Sequence, residues 1–193
     1  KHTIAGALAV AGAAMSLAGT TAPAAAADKF KIFLSMSYIG NDWQAEAANM
    51  VKAMAAHKSM ADKVDLQVQV AGPNAQRQIQ QINAMVQQGA DAIVIFQISP
   101  TALNQVVKNA CDKGVLVFAY DAEITEECAY NIHIDQPEAG RVTAEWLAEK
   151  LGGKGNILVL TGVPGTSVDT QRTAAAKEVF AKYPDIKIVG EAV

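Results

Sequence analysis

Polar side chains follow several apolar runs of this sequence, at the points where strands are expected to end. They are neutral hydroxyls and amides together with one carboxylate: Ser37, Asn41, Gln97, Asp121 and the turn from Thr161 to Thr166. Amides both donate and accept hydrogen bonds, and a carboxylate accepts from two neighbouring donors. The set is therefore suited to binding hydroxyl groups, and it contains no nucleophile with an adjacent base.

Patterns typical of catalysis, metals and nucleotides are missing. His57 and His133 are isolated in the sequence, so a Ser-His-Asp arrangement has no support. Two cysteines alone do not make a metal site, and neither CxxC nor HExxH occurs. The turn from Gly162 to Ser167 lacks the lysine of a phosphate loop, and no G-x-G-x-x-G follows the first apolar run. We therefore expect no enzyme activity, no cofactor and no metal.

Composition narrows the class of protein further. The 193 residues are 51% hydrophobic and 18% charged, with a formal net charge of −3. The hydrophobic content excludes a disordered chain, and 14 glycines are too few for a collagen-like one. A nucleic-acid partner is not expected, because contacts to phosphate need clustered lysine and arginine, which this sequence lacks.

The first 27 residues have the layout of a secretory signal. A short basic start is followed by an apolar run from Ile4 to Gly19, and Ala25 to Ala27 fits a small-residue cleavage site. A transmembrane anchor is the alternative, but the run is shorter than the ~20 residues that span a bilayer. We expect residues 1–27 to be a signal peptide and the mature protein to be periplasmic.

The two cysteines take their interpretation from that compartment. Cys111 lies near the end of a predicted helix, and Cys128 lies in a loop beyond the next strand. In an oxidising space such a pair can form a disulfide. Two unpaired thiols are the alternative that the sequence leaves open.

Apolar runs alternate with segments of helical period, which is the order of a doubly wound parallel sheet. One helical set comprises Trp43, Ala47, Met50, Val51 and Met54. The predicted strands are Lys31–Met36, Val64–Val70, Ala92–Phe96, Val115–Tyr120, Asn156–Leu160 and Ile186–Val189. Tyr130–Asp135 is predicted as a linking strand, so residues 28–134 form one α/β lobe and residues 135–193 begin another. Ligands of such sheets bind at the carboxyl ends of the strands.

Several segments together resemble a known family. They are Lys31–Ser37 with Asn41, Gln88–Ile95, Lys113–Asp121, Glu138–Arg141, and Gly165–Ser167 with Arg172. From about Phe30 to Val193 the chain is similar to the type I periplasmic sugar-binding proteins, close to the ribose-binding group. The resemblance implies two α/β lobes joined by a hinge, a monosaccharide-like sugar or polyol in the cleft, and a monomer that delivers it to an ABC permease with its ATPase.

The resemblance also implies roles for single residues. The ligand-binding set is Ser37, Asn41, Trp43, Gln97 and Asp121 from the first lobe and Arg172 from the second, with Asp135 and Gln136 in the hinge. For three of these residues the sequence leaves an alternative to ligand binding open: a core position for Trp43, a surface position for Arg172 and a purely structural role for Asp121. Ala122 stands where relatives near the ribose-binding group often carry arginine, so a deoxy sugar, a polyol or a furanosyl compound remains open as the ligand.

Other functions share this fold. The effector-binding domain of a LacI-type regulator is one, but a signal peptide stands where its helix-turn-helix would be. A flavodoxin-like or Rossmann enzyme and a periplasmic sugar sensor for a chemoreceptor or kinase are others. The resemblance further implies that the second lobe is only begun at Val193, so we expect a C-terminally truncated piece that binds its ligand poorly.

Overall fold

The computed structural model describes residues 28–192, so the predicted signal peptide lies outside the described residues. Strands and helices alternate along most of the chain. The strands are β1 (Phe30–Met36), β2 (Val64–Val70), β3 (Ala92–Phe96), β4 (Leu116–Tyr120), β5 (Tyr130–Ile132), β6 (Lys154–Leu160) and β7 (Asp185–Ala192). The helices are α1 (Asp42–Ala56), α2 (Ala75–Gln87), α3 (Asn104–Asp112), α4 (Gln136–Lys150) and α5 (Ser167–Phe180).

The first sheet has the order β2-β1-β3-β4-β5, and all its strands are parallel. Leu34 and Met36 of β1 pack with Ala48 of α1 on one face. Phe33 lies in the larger core on the other face, together with side chains of α2 and α3. Helices cover both faces because parallel strands need crossover connections. This arrangement confirms the predicted doubly wound α/β fold.

The second sheet contains β6 and β7, which are also parallel. α4 and α5 pack closely against each other, and their small core is formed by Ala144, Ala148, Ile157, Val179, Phe180 and Ile186. This sheet is less covered than the first one: Leu158 and Leu160 of β6 are 72% and 81% exposed. No helix of the described residues is long and apolar enough to cross a membrane.

The prediction of the apolar face of α1 is wrong in part. Trp43, Met50 and Met54 are each more than half exposed, whereas Gln44 and Ala48 are buried. Both stripes recur at helical spacing, so periodicity alone does not separate them. The second stripe is the one that meets the sheet: Ala48 packs with Leu34 and Met36 of β1. The Gln44 amide accepts a hydrogen bond from the Tyr120 hydroxyl of β4 at 3.4 Å.

The structure joins Cys111 and Cys128 in a disulfide that closes a sequence separation of 17 residues. Cys111 lies in the last turn of α3, and Cys128 precedes β5. The bridge therefore ties the segment after β4 to a helix on the face of the first sheet.

Candidate functional site

A cavity of about 220 Å³ lies where the carboxyl ends of the first sheet face the first turns of α5. The first lobe contributes Tyr38, Asn41, Trp43, Gln44, Phe96 and Asp121. The second lobe contributes Gly162, Val163, Thr166, Val168, Asp169 and Arg172. Asn41, Trp43, Asp121 and Arg172 are thus brought together as the sequence predicts, although they lie far apart in the chain.

Asn41 occupies the cavity edge because it caps α1. Its Oδ1 atom accepts from the backbone N–H of Gln44 at 2.9 Å, which satisfies a free donor at the helix start. The Nδ2 atom lies 3.5 Å from the Tyr38 hydroxyl, to which it donates. The cap therefore holds the oxygen, and the amide nitrogen is the part of Asn41 that can still donate to a ligand.

Aromatic rings form the apolar part of the first-lobe wall. Trp43 stacks on Tyr120 with ring centroids 6.3 Å apart and planes 23° apart. Tyr120 contacts Phe96 at 5.6 Å, and Phe96 contacts Tyr38 at 6.1 Å. Sequence reasoning missed Tyr38 and Phe96 as cavity residues. Their positions beside a strand end were the available signal, because Phe96 ends β3 and Tyr38 follows β1.

Asp121 places a carboxylate directly after β4. Its φ of +59° is left-handed, a conformation that few residues other than glycine adopt. Its backbone N–H donates to the Ile132 carbonyl of β5 at 3.0 Å, so the neighbouring strand helps to hold this turn. Burial raises the pKa of the Asp121 carboxyl, and nearby Arg172, Gln136 and His133 oppose that rise.

The second-lobe wall is organised by the start of α5. Thr166 caps the helix, and its hydroxyl accepts from the Asp169 N–H at 3.3 Å. Asp169 in turn accepts from the Gly162 N–H at 2.8 Å, so this amide of the turn already has a partner. Arg172 lies near the middle of α5 and donates through Nε to the Gln136 side chain. Asp169 is a cavity residue that sequence reasoning missed.

Ser37 and Gln97 lie beside the cavity region but do not line the cavity. Both are buried, at 0% and 1% exposure. The Gln97 amide donates to the Ala122 carbonyl at 2.6 Å. The Ser37 hydroxyl oxygen and Gln97 Oε1 have no hydrogen-bond partner within residues 28–192. Ala122, the departure noted in the sequence, thus contributes its carbonyl to holding Gln97.

Residues from both lobes also bond to each other around the cavity. The Glu123 N–H donates to the Ser167 hydroxyl at 2.7 Å, and Gln171 donates to the Glu123 carboxylate at 2.9 Å. Asp135 and Gln136, the predicted hinge pair, form the N-cap and first residue of α4. No group of three His, Cys, Asp or Glu side chains in the described part of the chain is arranged to hold a metal ion.

The site therefore combines hydrogen-bonding groups with flat apolar faces, and its two walls come from different lobes. A family model described as a periplasmic binding protein domain matches residues 32–193. The chain belongs to the periplasmic binding protein family. This is a family of binding proteins and not of enzymes, as the residues predict.

Individual relatives of this periplasmic binding protein are also named as binding proteins. The xylitol-binding protein of Mycolicibacterium smegmatis is 33% identical over 132 residues, which is 68% of this chain and 38% of that protein. The galactofuranose-binding protein of Escherichia coli is 27% identical over 92% of this chain and 54% of its own length. A solved ABC transporter solute-binding protein from Thermobispora bispora is 32% identical, with a TM-score of 0.74 over 85% of this chain and 52% of the other.

The chain thus spans about half the length, or less, of these proteins. The match to them supports the type I arrangement of two α/β lobes, of which the described residues contain a five-stranded sheet and a two-stranded one.

Proposed function

We propose that this periplasmic binding protein captures one small sugar or polyol in the cavity between its lobes and delivers it to an ABC importer. The observation that carries the proposal is the composition of the cavity wall. A carboxylate, an amide and a stacked indole come from the first lobe, and a guanidinium comes from the second. This combination suits a polyhydroxylated ligand, because such a ligand presents donors, acceptors and apolar C–H groups at once.

Each cavity residue has a distinct part in this proposal. Asp121 accepts hydrogen bonds from two neighbouring hydroxyls, and the Nδ2 atom of Asn41 donates to a third. Trp43 and Phe96 pack against the C–H face of the ligand. Arg172 donates from its rigid planar fork.

Ser37 and Gln97 stay in the proposed site for a separate reason. Each carries a buried oxygen without a partner among the described residues. Leaving a buried polar atom unpaired costs about 1–3 kcal/mol, so we expect each oxygen to bind an ordered water. Because neither side chain lines the cavity, contact with the ligand is proposed to pass through that water.

Capture is proposed to work by hinge closure, which is an established behaviour of periplasmic binding proteins. A ligand that contacts both lobes favours the closed arrangement because it binds that arrangement more tightly. Asp135 and Gln136 lie where the chain passes from β5 to α4, so we assign them to one segment of the hinge.

The ligand class follows from the size of the cavity and from the relatives. Pockets for drug-sized ligands measure roughly 300–1,000 Å³, whereas this one measures about 220 Å³. Relatives are named for xylitol and for galactofuranose. We therefore place pentitols and furanoses first among the candidates.

Residues 1–27 are proposed to direct the protein to the periplasm.

A thermal-shift screen of the full-length gene product tests the function. Monosaccharides, polyols and furanosyl compounds are added one at a time, because a compound that binds only the folded state raises the melting temperature. We expect a rise with at least one polyol or furanose and none with nucleotides. The absence of a rise with every sugar and polyol would contradict the proposal.

A further inference from the structure

Gln136 contacts the cavity groups of both lobes with one side chain. It is 1% exposed, although it is the first residue of α4. Its Nε2 atom donates to the Asp121 backbone carbonyl at 3.3 Å, and its Oε1 atom accepts from Nε of Arg172. A buried amide that bonds in two directions holds both partners in a defined orientation.

Gly140 contacts the same arginine from one turn further along α4. It is buried, and a Cβ atom added there would lie 2.3 Å from the Arg172 carbonyl oxygen and 2.9 Å from its Cα atom. Positions four residues apart share one face of a helix. The face that carries Gln136 and Gly140 therefore meets Arg172 twice, through its side chain and through its backbone.

These two contacts determine which part of the guanidinium faces the ligand. Arginine presents five N–H donors in a fixed planar fork. Because Nε is bonded to Gln136, the terminal nitrogens are the donors that remain for the cavity that Arg172 lines. Without the Gln136 acceptor, the exposed arginine would sample several rotamers and would pay their entropy on binding.

We propose that Gln136 and Gly140 are positioning residues for Arg172, acting respectively on its guanidinium and on its backbone. This inference rests on the proposed function only in the test that measures ligand affinity. The assignment gives Gln136 a task beyond the hinge: it links the guanidinium of the second lobe to the backbone of the carboxylate residue of the first.

The first test is a double-mutant cycle on the full-length gene product. The variants are Gln136→Met, which has a similar volume and no hydrogen bonds, Arg172→Ala, and the two combined. Affinity for the compound found in the thermal-shift screen is measured by calorimetry. We expect Gln136→Met to weaken binding about tenfold or more when arginine is present, and to have little further effect when Arg172 is replaced, since the residues act as one unit.

The second test needs no ligand. In protein labelled with ¹⁵N-arginine, the Nε–H signal of Arg172 is assigned by its loss in Arg172→Ala, and its exchange with water is measured. We expect slow exchange in the wild-type protein and at least tenfold faster exchange in Gln136→Met. Gln78→Met is the matched control. Gln78 is also a buried glutamine with bonds to backbone and side-chain groups, but its partners are Ser35, Phe96 and Ile98.

The outcomes separate the two proposals. Equal loss of affinity from Gln136→Met with and without Arg172, or unchanged Nε–H exchange, would overturn the positioning role and leave the proposed function intact. Unchanged affinity in Arg172→Ala would instead remove Arg172 from the ligand site, while a change in exchange would still support its positioning by Gln136. If Gln78→Met also accelerates exchange, the effect is general loosening and the positioning role is wrong.

Discussion

The two lobes place their cavity residues by different means. In the first lobe, Phe96 and Asp121 lie at or directly after strand ends of a five-stranded sheet that is covered on both faces. In the second lobe, Asp169 and Arg172 lie on α5, which packs closely against α4. Backbone ladders thus locate one wall, whereas contacts between two helices locate the other.

This difference has a physical consequence. A strand end moves only if its hydrogen-bonded neighbours move, so the first wall should tolerate changes in helix packing. The second wall depends on a close approach at a single glycine, where one added carbon would meet backbone. Substitutions should therefore affect affinity and stability differently in the two lobes.

Replacing Asp121 should produce the largest loss of affinity. Two hydrogen bonds to a charged group are worth about 1.5–3 kcal/mol each, so Asp121→Ala should weaken ligand binding more than about 100-fold by calorimetry. Asp112→Asn on α3 is the control, because that carboxylate is paired with Lys108 and lies outside the cavity. Unchanged affinity in Asp121→Ala would refute its place in the site.

The same carboxylate should also give a pH signature. Burial holds the folded-state pKa of Asp121 above its ordinary value of 3.8. Its ionisation therefore destabilises the fold above that raised pKa, and the penalty disappears as the pH falls below 3.8. Asp121→Asn, which also tolerates a left-handed φ, should raise the ligand-free melting temperature at pH 7 relative to wild type. That advantage should shrink on acidification, while wild-type ligand affinity falls over the same range. A pH-independent difference in melting temperature would contradict this.

Removing the disulfide should reduce stability and leave ligand binding unchanged. Closing a loop of about this length stabilises a fold by about 3 kcal/mol. The double substitution Cys111→Ser/Cys128→Ser should lower the free energy of unfolding by a similar amount in denaturant titrations. Affinity should stay within about twofold of wild type, because neither cysteine lines the cavity. Thiol titration of the wild-type protein under denaturing, non-reducing conditions should find no free thiol in the pair.

Gly140→Ala tests the packing that locates the second wall. Overpacking of this kind costs about 1–3 kcal/mol, and the better helix propensity of alanine offsets up to about 1 kcal/mol. We expect a net loss of stability of about 1–2 kcal/mol, together with weaker ligand binding because the backbone of Arg172 is displaced. A variant that keeps both its melting temperature and its affinity would show that α4 and α5 move apart freely at this point.

The smallest effect is expected at the direct contact between lobes. Gln171→Ala removes the bond to the Glu123 carboxylate, which measures 2.9 Å between half-buried groups. A hydrogen bond to a charged group is worth about 1.5–3 kcal/mol, and the partial exposure of this pair favours the lower end of that range, so affinity should fall about tenfold. Gln105→Ala on α3 is the control, because within residues 28–192 its side-chain amide donates to Asn109 and lies outside the cavity. A loss of more than about 30-fold would mean that Gln171 belongs to the ligand site itself.

Sequence reasoning succeeded where local rules dominate. Alternating apolar runs predicted the strands of both sheets, and the positions of Asn41 and Asp121 after strands predicted their place at the cavity. Sequence reasoning failed where two sets of residues fitted the same helical spacing equally well. The α1 helix has two stripes at helical spacing, and only its packing against β1 decides that Ala48 is buried and Trp43 exposed.

By itself, the sequence determined the order of the elements, the strand-end polar groups and the family, because these depend on side-chain periodicity and on motifs in chain order. Only the tertiary structure decided which of those groups reach the cavity. Ser37 and Asn41 follow the same strand, yet one side chain is buried and the other lines the cavity. The contact of Gln136 and Gly140 with Arg172 was equally hidden, because it joins residues more than thirty positions apart. Such contacts depend on how α4 and α5 pack, which no local pattern encodes.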